Sequence, residues 1–358
     1  MMRQIKIVLA TLAALVVLDV LVAAALTKAP GSLRSFFDYG RSVPGKLAQW
    51  EANPNVSGNL LNVAWLPEAI ATAHDRFIAE PPDTGPVVRN YGMSFSNQMV
   101  AAAQAAEPAL RASTIAGPGA SPNFVYAAFL DDRANRRPGD VVLFGILSKS
   151  VPALGSFSNR VWAFEQPAPF TYPIFRPDAG GGLERIDPEV RSFADFLDPA
   201  KSAAFAAQMQ AQDLLWTPGA FALPALDASP FARLVRRAVA KNAIDAREAE
   251  IVAHPEDGPL PWAEVLRRMV EDVARITRED GQIPVIMLIQ SQGTDVPSLR
   301  DLLRPTLEAG AIPYLATEDT ALPTDARAYV PDGHFTAAVN RDLAQVFLSI
   351  PAVQAATR

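Results

Sequence analysis

Pro86-Val87-Val88-Arg89-Asn90-Tyr91-Gly92-Met93-Ser94-Phe95-Ser96-Asn97 places a short apolar-leaning run, a glycine-preceded turn and a serine in immediate succession. A helix-compatible, alanine-rich run follows from Gln98 to Leu110. The pattern predicts a strand over 86–91, a tight turn, and a helix over 97–110. The same alternation continues with a strand at 111–116, a helix at about 122–135 and a strand at 140–147. It resumes later with a helix at 262–278, a strand at 283–290, a helix at 299–309, a strand at 312–316 and a closing helix at 335–349. Short apolar strands alternating with amphipathic helices predict a parallel sheet covered on both faces.

The turn carries chemistry as well as geometry. A serine hydroxyl is a poor nucleophile at neutral pH and needs a base to take its proton, a task for which histidine is well matched. The chain has three histidines, and one stands in Pro331-Asp332-Gly333-His334-Phe335, just before the last helix. An aspartate two residues away is placed to orient the imidazole and steady its charged form. Taken alone, Ser94 also reads as a helix-capping serine. The helix after it offers free N–H groups and a positive dipole end, which suits a developing oxyanion.

Gly92-Met93-Ser94-Phe95-Ser96 resembles the Gly-x-Ser-x-Ser/Thr nucleophile block of SGNH (GDSL-type) hydrolases, and Asp332-Gly333-His334 resembles their C-terminal Asp/His block. Two intermediate stretches are similar as well. Ala116-Gly117-Pro118-Gly119-Ala120 resembles the glycine block that helps bind the oxyanion, and Pro138-Gly139-Asp140-Val141-Val142-Leu143-Phe144-Gly145 resembles the strand leading to the third block. The likeness covers about residues 85–150 and 260–350, and order and spacing carry it. It implies a flavodoxin-like three-layer α/β/α sandwich. It implies Ser94 as nucleophile rather than the competing Ser96, with His334 as base and Asp332 as its orienting carboxylate. Oxyanion donors would be the N–H groups of Ser94 and Gly119.

Two departures stand out. Met93 replaces the usual aspartate, and the third block lacks its asparagine, since Ile146-Leu147-Ser148-Lys149-Ser150 has none. Ser148 or Ser150 is the substitute oxyanion donor that the segment offers. The Asp-x-His spacing and the Gly-x-Ser-aromatic-Ser turn also resemble SGNH-like proteins that acetylate bacterial exopolysaccharides.

The chain has 358 residues, 49% of them hydrophobic, enough for one large core. A net charge of −6 argues against nucleic acid as a partner. There is no cysteine, which excludes disulfides, thiolate catalysis and Cys-ligated zinc. Neither His74 nor His254 has a metal-like neighbour in sequence, so no metal or other cofactor is expected. Arg3 and Lys6 precede Ile7–Leu26, an apolar run interrupted only by Asp19. At 1.5 Å per residue it is about 30 Å long as a helix, enough to cross a bilayer core. Basic residues before it predict a single-pass anchor with the bulk of the chain outside the cytoplasm, and the resemblance to bacterial exopolysaccharide-acetylating proteins implies a bacterial inner membrane with the catalytic domain in the periplasm. Cleavage near Ala23-Ala24-Ala25, giving a secreted protein, is the alternative.

These readings divide the chain into an anchor (1–30), a helical connector (31–84) and a catalytic domain (85–350) with an insertion at 151–260. The connector includes a helix starting at Leu66-Pro67-Glu68-Ala69, on which His74, Ile70, Phe77 and Ile78 share a helical spacing that predicts a half-buried histidine. His254 reads as a loop residue. Within the insertion, 155–227 shows no regular period, and a helix is predicted from about Pro230 to Val252. Its Arg233, Arg236, Arg237 and Lys241 predict a solvated face, opposite Phe231, Leu234, Val235 and Val239. Trp162, Phe164 and Tyr172 are candidate rings for stacking on sugar. The expected activity is that of a serine O-acyl esterase or acyltransferase, acting on a small ester or an acylated saccharide of exported polysaccharide. The alternative is a tethered, non-catalytic binding subunit, with polysaccharide-assembly proteins as candidate partners.

Overall fold

The computed structural model describes residues 2–28, 52, 65–79, 87–117, 119–158, 171–220 and 224–357. It begins with α1 (Met2–Thr27), long and apolar enough to cross a membrane, and α2 (Leu66–Ala79). α2 buries Leu66, Ala69, Ala73 and Phe77 along one stripe. The Phe77 ring lies under two guanidinium groups, Arg89 at 4.7 Å and Arg111 at 4.4 Å, which join α2 to the sheet.

The sheet starts with β1 (Val87–Gly92), α3 (Ser94–Ala106), β2 (Arg111–Ala116), α4 (Pro122–Asp131) and β3 (Val141–Leu147). Every residue of β1 and β3 is buried, as expected of parallel strands covered on both faces. β3 runs into a 3-10 segment, Ser148–Gly155. Before the sheet resumes come β4 (Ile174–Pro177), β5 (Leu183–Ile186), α5 (Phe193–Leu197), α6 (Pro199–Gln212), α7 (Pro224–Asp227) and α8 (Pro230–Ala253). β4 and β5 form their own antiparallel pair. The chain then makes α9 (Trp262–Glu279), β6 (Ile283–Ile289), α10 (Leu299–Ala309), β7 (Tyr314–Ala316), α11 (Ala337–Ser349) and α12 (Pro351–Thr357).

The molecule is thus an α/β protein with one parallel five-stranded sheet, in the order β2-β1-β3-β6-β7. Register is direct: Val88 lies beside Val141, Val141 beside Ile283, and Ile286 beside Tyr314. At the amino edge Asp140 accepts bonds from the Val87 N–H at 3.1 Å and the Arg89 Nε at 2.8 Å. That buried ion pair fixes the start of β1 against β3 and gives the Pro138-Gly139-Asp140 turn its purpose.

Two expectations change. The stretch predicted to lack regular structure contains α6, whose sequence, rich in alanine and glutamine, buries only Phe205 and Met209. Its start was legible: Asp198 accepts from the N–H groups of Ala200 and Lys201, with Pro199 in the first turn. The second change is the orientation of α8. Arg233, Arg236 and Arg237 are buried, whereas Phe231, Val235 and Val239 are exposed.

Candidate active site

β1 ends at the point where the strand order reverses, with β2 on one side and β3 on the other. In open α/β sheets such a switch point opens a crevice at the carboxyl ends of the strands. Met93 is the N-cap of α3 in extended backbone, and its side chain has no oxygen to cap with. Ser96 does that work from inside the helix. Its hydroxyl accepts the Met93 N–H at 3.2 Å and donates to the Met93 carbonyl at 3.0 Å. Ser96 is fully buried and committed. The same packing explains Gly92, because a Cβ there would stand 2.1 Å from the Ser96 Oγ. Ser94, at the first helical position, is left with its hydroxyl outward.

That hydroxyl meets His334. Ser94 Oγ and His334 Nε2 are 2.6 Å apart across a separation of 240 residues. His334 Nδ1 faces Asp332 Oδ1 at 3.1 Å, an ion-pair distance whose angle is off the line of a good hydrogen bond. The tautomer this favours carries its proton on Nδ1 and accepts from Ser94 at Nε2. Gly333 has φ 86, a left-handed conformation suited to glycine. With that turn, one carboxylate oxygen reaches both the His334 imidazole and its backbone N–H, the latter at 3.1 Å. The bond from the His334 backbone N–H foremost, and the imidazole beside it, hold the Asp332 carboxyl below the usual carboxylate range. Asp332 itself is exposed.

Three further contacts fix the His334 turn. Phe95 stacks on the His334 ring with centroids 4.7 Å apart, and Phe335 meets Phe95 edge-on at 5.2 Å. Asn340 donates to Gln98 and to the Phe335 carbonyl, both at 3.3 Å, so α11 and α3 share the load. Sequence reasoning named Phe95 only as a motif letter. The signal that would have found its role is its position next to the serine, on the face turned toward the closing helix.

Hydrogen bonds tie the remaining blocks to this turn. The Gly117 N–H donates to the Gly92 carbonyl at 3.2 Å, which brings the β2–α4 loop beside the Ser94 turn. Gly119 lies in that loop with φ 54 and is exposed. The Ser150 hydroxyl bonds the Ala120 and Leu147 carbonyls, each at 3.0 Å. Ser148 accepts the Ser291 N–H at 3.0 Å and shares a 3.1 Å contact with its hydroxyl. The oxyanion role expected of Ser148 therefore gives way to a different one: fully buried, it bridges the ends of β3 and β6.

The expected sugar-stacking role of Tyr172 is corrected too. Its side chain is 2% exposed and packs edge-on against Phe124, so the ring belongs to the core. Trp162 and Phe164 lie outside the described residues. His74 is exposed rather than half-buried, because α2 turns the Ala69–Ala73–Phe77 stripe inward instead. His254 ends α8 and is exposed, 3.6 Å from Asp257. Among the described residues no group of three or more His, Asp or Glu side chains is arranged to hold a metal ion. A cavity of about 670 Å³ lies between Lys149 and Pro152, the end of α8 at Asp245 and Glu248, and the loop Gly293–Pro297. Lys149 adjoins the Ser148–Ser291 bridge in sequence.

Compared with known proteins, the chain matches no protein-family model and no curated sequence.

Proposed function

We propose that this protein is an extracytoplasmic serine O-acyl esterase or acyltransferase of SGNH type, and that its fold is the flavodoxin-like three-layer sandwich of that family. The single observation that carries the reading is the 2.6 Å contact between Ser94 Oγ and His334 Nε2. The strand order supports the fold, since β2-β1-β3-β6-β7 is 2-1-3-4-5 when the sheet strands are numbered along the chain. Ser94 Oγ attacks the ester carbonyl carbon as its proton passes to His334 Nε2. Charge gathers on the carbonyl oxygen, which faces the Ser94 N–H at the positive end of α3 and the Gly119 N–H. Collapse of the adduct breaks the carbon–oxygen bond to the alcohol, and His334 returns the proton to the departing alkoxide. Water then cleaves the acyl-enzyme, or a sugar hydroxyl accepts the acyl group, with His334 again as base. No cofactor enters these steps.

Acylated cell-surface or exported polysaccharide is the proposed substrate class. The support for this class is the likeness of the Gly92–Ser96 turn and of the Asp332-Gly333-His334 spacing to proteins that acetylate bacterial exopolysaccharides. The apolar α1 supports attachment to the inner membrane with the catalytic part in the periplasm. The second reading is a non-catalytic tethered binding subunit, favoured by Met93, which is buried in the core where an acidic residue would help orient the site.

A fluorophosphonate probe separates the two. Wild-type protein is expected to label, and Ser94→Ala and His334→Ala each to abolish labelling and to lower turnover of a short acetyl ester by roughly a million-fold. The double variant should be little worse than either single one, because the residues act as a unit. Unlabelled wild-type protein, or labelling that survives Ser94→Ala and disappears with Ser96→Ala, would overturn the assignment.

A further inference from the structure

α8 faces the wrong way for a helix in water. Over its first three turns the exposed residues are Phe231, Val235, Ala238 and Val239, and the partly exposed ones are Pro230, Ala232 and Leu234. Three arginines in the same stretch, Arg233, Arg236 and Arg237, are turned into the protein. Arg236 meets Asp227 through Nε at 2.8 Å and through a second nitrogen at 3.0 Å, and it also donates to the Gly219 carbonyl at 2.7 Å. Apolar surface outward and charge inward is the arrangement expected where the surrounding solvent is hydrocarbon.

The neighbour of this surface is α1. Leu18, Asp19, Val22, Ala23 and Leu26 are the α1 residues sheltered in whole or part, at helical spacing, and α1 packs against α8. Asp19 would be costly in a membrane helix without a partner. Its Oδ1 accepts from the Ser229 hydroxyl at 2.7 Å and from the Phe231 N–H at 3.0 Å. Ser229 is the N-cap of α8 and the Phe231 N–H belongs to its first turn, where the helix dipole favours a negative charge. Asp19 lies eight residues before Thr27, which is about 12 Å along the helix axis. A span that reaches the interface near Thr27 and Lys28 therefore carries the start of α8 well into the adjoining half of a hydrocarbon core about 30 Å thick. The first charged pair exposed along α8 is Lys241 with Asp245, bonded at 2.5 Å. It stands where the helix would leave hydrocarbon for the polar interface.

We infer that the face of α8 formed by Phe231, Val235 and Val239 is embedded in lipid beside α1, so that the membrane leaflet on the side of the catalytic residues is its occupant. The inference rests on α1 crossing the bilayer and is independent of the Ser94 chemistry. It makes the anchor a helix pair rather than a single helix, and it holds the body of the protein at a set height and rotation above the bilayer.

The absence of cysteine allows single-cysteine probes in the full-length chain. Phe231→Cys, Val235→Cys, Val239→Cys, Val16→Cys on α1 and the exposed Glu250→Cys are each labelled with NBD. The labelled chains are reconstituted into phosphatidylcholine vesicles with and without doxyl-labelled phosphatidylcholine. Probes at 231, 235 and 239 should show the blue-shifted emission of the probe at 16, lose intensity to doxyl lipid to the same extent, and resist aqueous iodide. The probe at 250 should do the reverse. Quenching by lipid at 16 with none at 231, 235 and 239 would overturn the embedding alone. If those three resist both quenchers, protein covers the face and the lipid assignment falls. No lipid quenching at 16 would remove the span and the inference with it.

Discussion

Helices α8 and α9 follow one another in the chain, both are long and both are amphipathic, yet they present opposite faces to the protein. α9 buries Trp262, Val265, Leu266, Met269, Val270, Val273 and Ile276 and carries its charges outside. α8 buries Arg233, Arg236 and Arg237 and leaves Phe231, Val235 and Val239 outside. A hydrophobic stripe thus locates a helix without saying which medium the stripe faces. α9 has the sheet beneath it, packing on β6, and its stripe enters the core. α8 has Asp227 and the Gly219 carbonyl beneath it and α1 beside it, so the favourable orientation reverses.

The sharpest way to break this comparison is a charge on each stripe. Leu266→Asp places an unpaired carboxylate in the fully buried stripe of α9 and is expected to abolish folding, since such burial costs several kcal/mol, about the size of a domain's net stability. Val235→Asp on α8 leaves the packed core untouched, so the chain should still fold in detergent, with a loss of unfolding free energy no larger than the roughly 3 kcal/mol of a carboxylate in hydrocarbon. Equal losses in melts followed by circular dichroism would show that the α8 stripe is core after all.

The arginines give a second, smaller contrast. Arg236→Ala removes the two-point ion pair with a nearly buried Asp227 and should cost about 3 kcal/mol, whereas Arg275→Ala should cost under about 1 kcal/mol. Arg275 is paired with Asp272 and Glu279 on the outer face of α9 and is more than half exposed. Chemical denaturation of the two variants under one detergent condition measures the difference. A smaller loss for Arg236→Ala would mean that its burial is incidental to the placement of α8.

The gentlest test concerns the contact between α1 and α8. Asp19→Asn keeps an acceptor for the Ser229 hydroxyl and the Phe231 N–H, while Asp19→Leu removes it. Loss of a cap of this kind is worth about 1 kcal/mol. Amide exchange at Phe231 should therefore quicken about fivefold to tenfold in the leucine variant and change little in the asparagine variant. Equal exchange in the two would leave Asp19 without a structural role at α8.

Legibility followed the same division. β3 and β6 are continuous apolar runs, β1 is an apolar-leaning one, and turn signals flank them, so local pattern suffices to find them; the starts of β1 and β3 differ from expectation by one residue. Gly92, Ser94, Asp332 and His334 were visible because tight turns and proton transfer restrict which residues can serve. The roles of Ser96, Ser148 and Tyr172 were not. A hydroxyl can cap a helix, bridge two strands or face a substrate, and a ring can stack on sugar or fill a core. Only the partners choose among these, and for Ser148 the partner, Ser291, is 143 residues away. α6 escaped notice for the opposite reason, since a helix that buries two side chains leaves almost no period to read.

The sequence by itself determined the alternation of strands and helices, the apolar N-terminal helix, the turn that presents Ser94 and the tight Asp332-Gly333-His334 turn, since each rests on local sterics, periodicity or hydrophobic length. Tertiary structure alone decided that Ser94 meets His334 at 2.6 Å, that Phe95 holds the imidazole, and that the arginines of α8 point inward. Those outcomes depend on contacts between residues far apart in the chain. Their energies come from which surfaces are brought together, and no local pattern of residues carries that information.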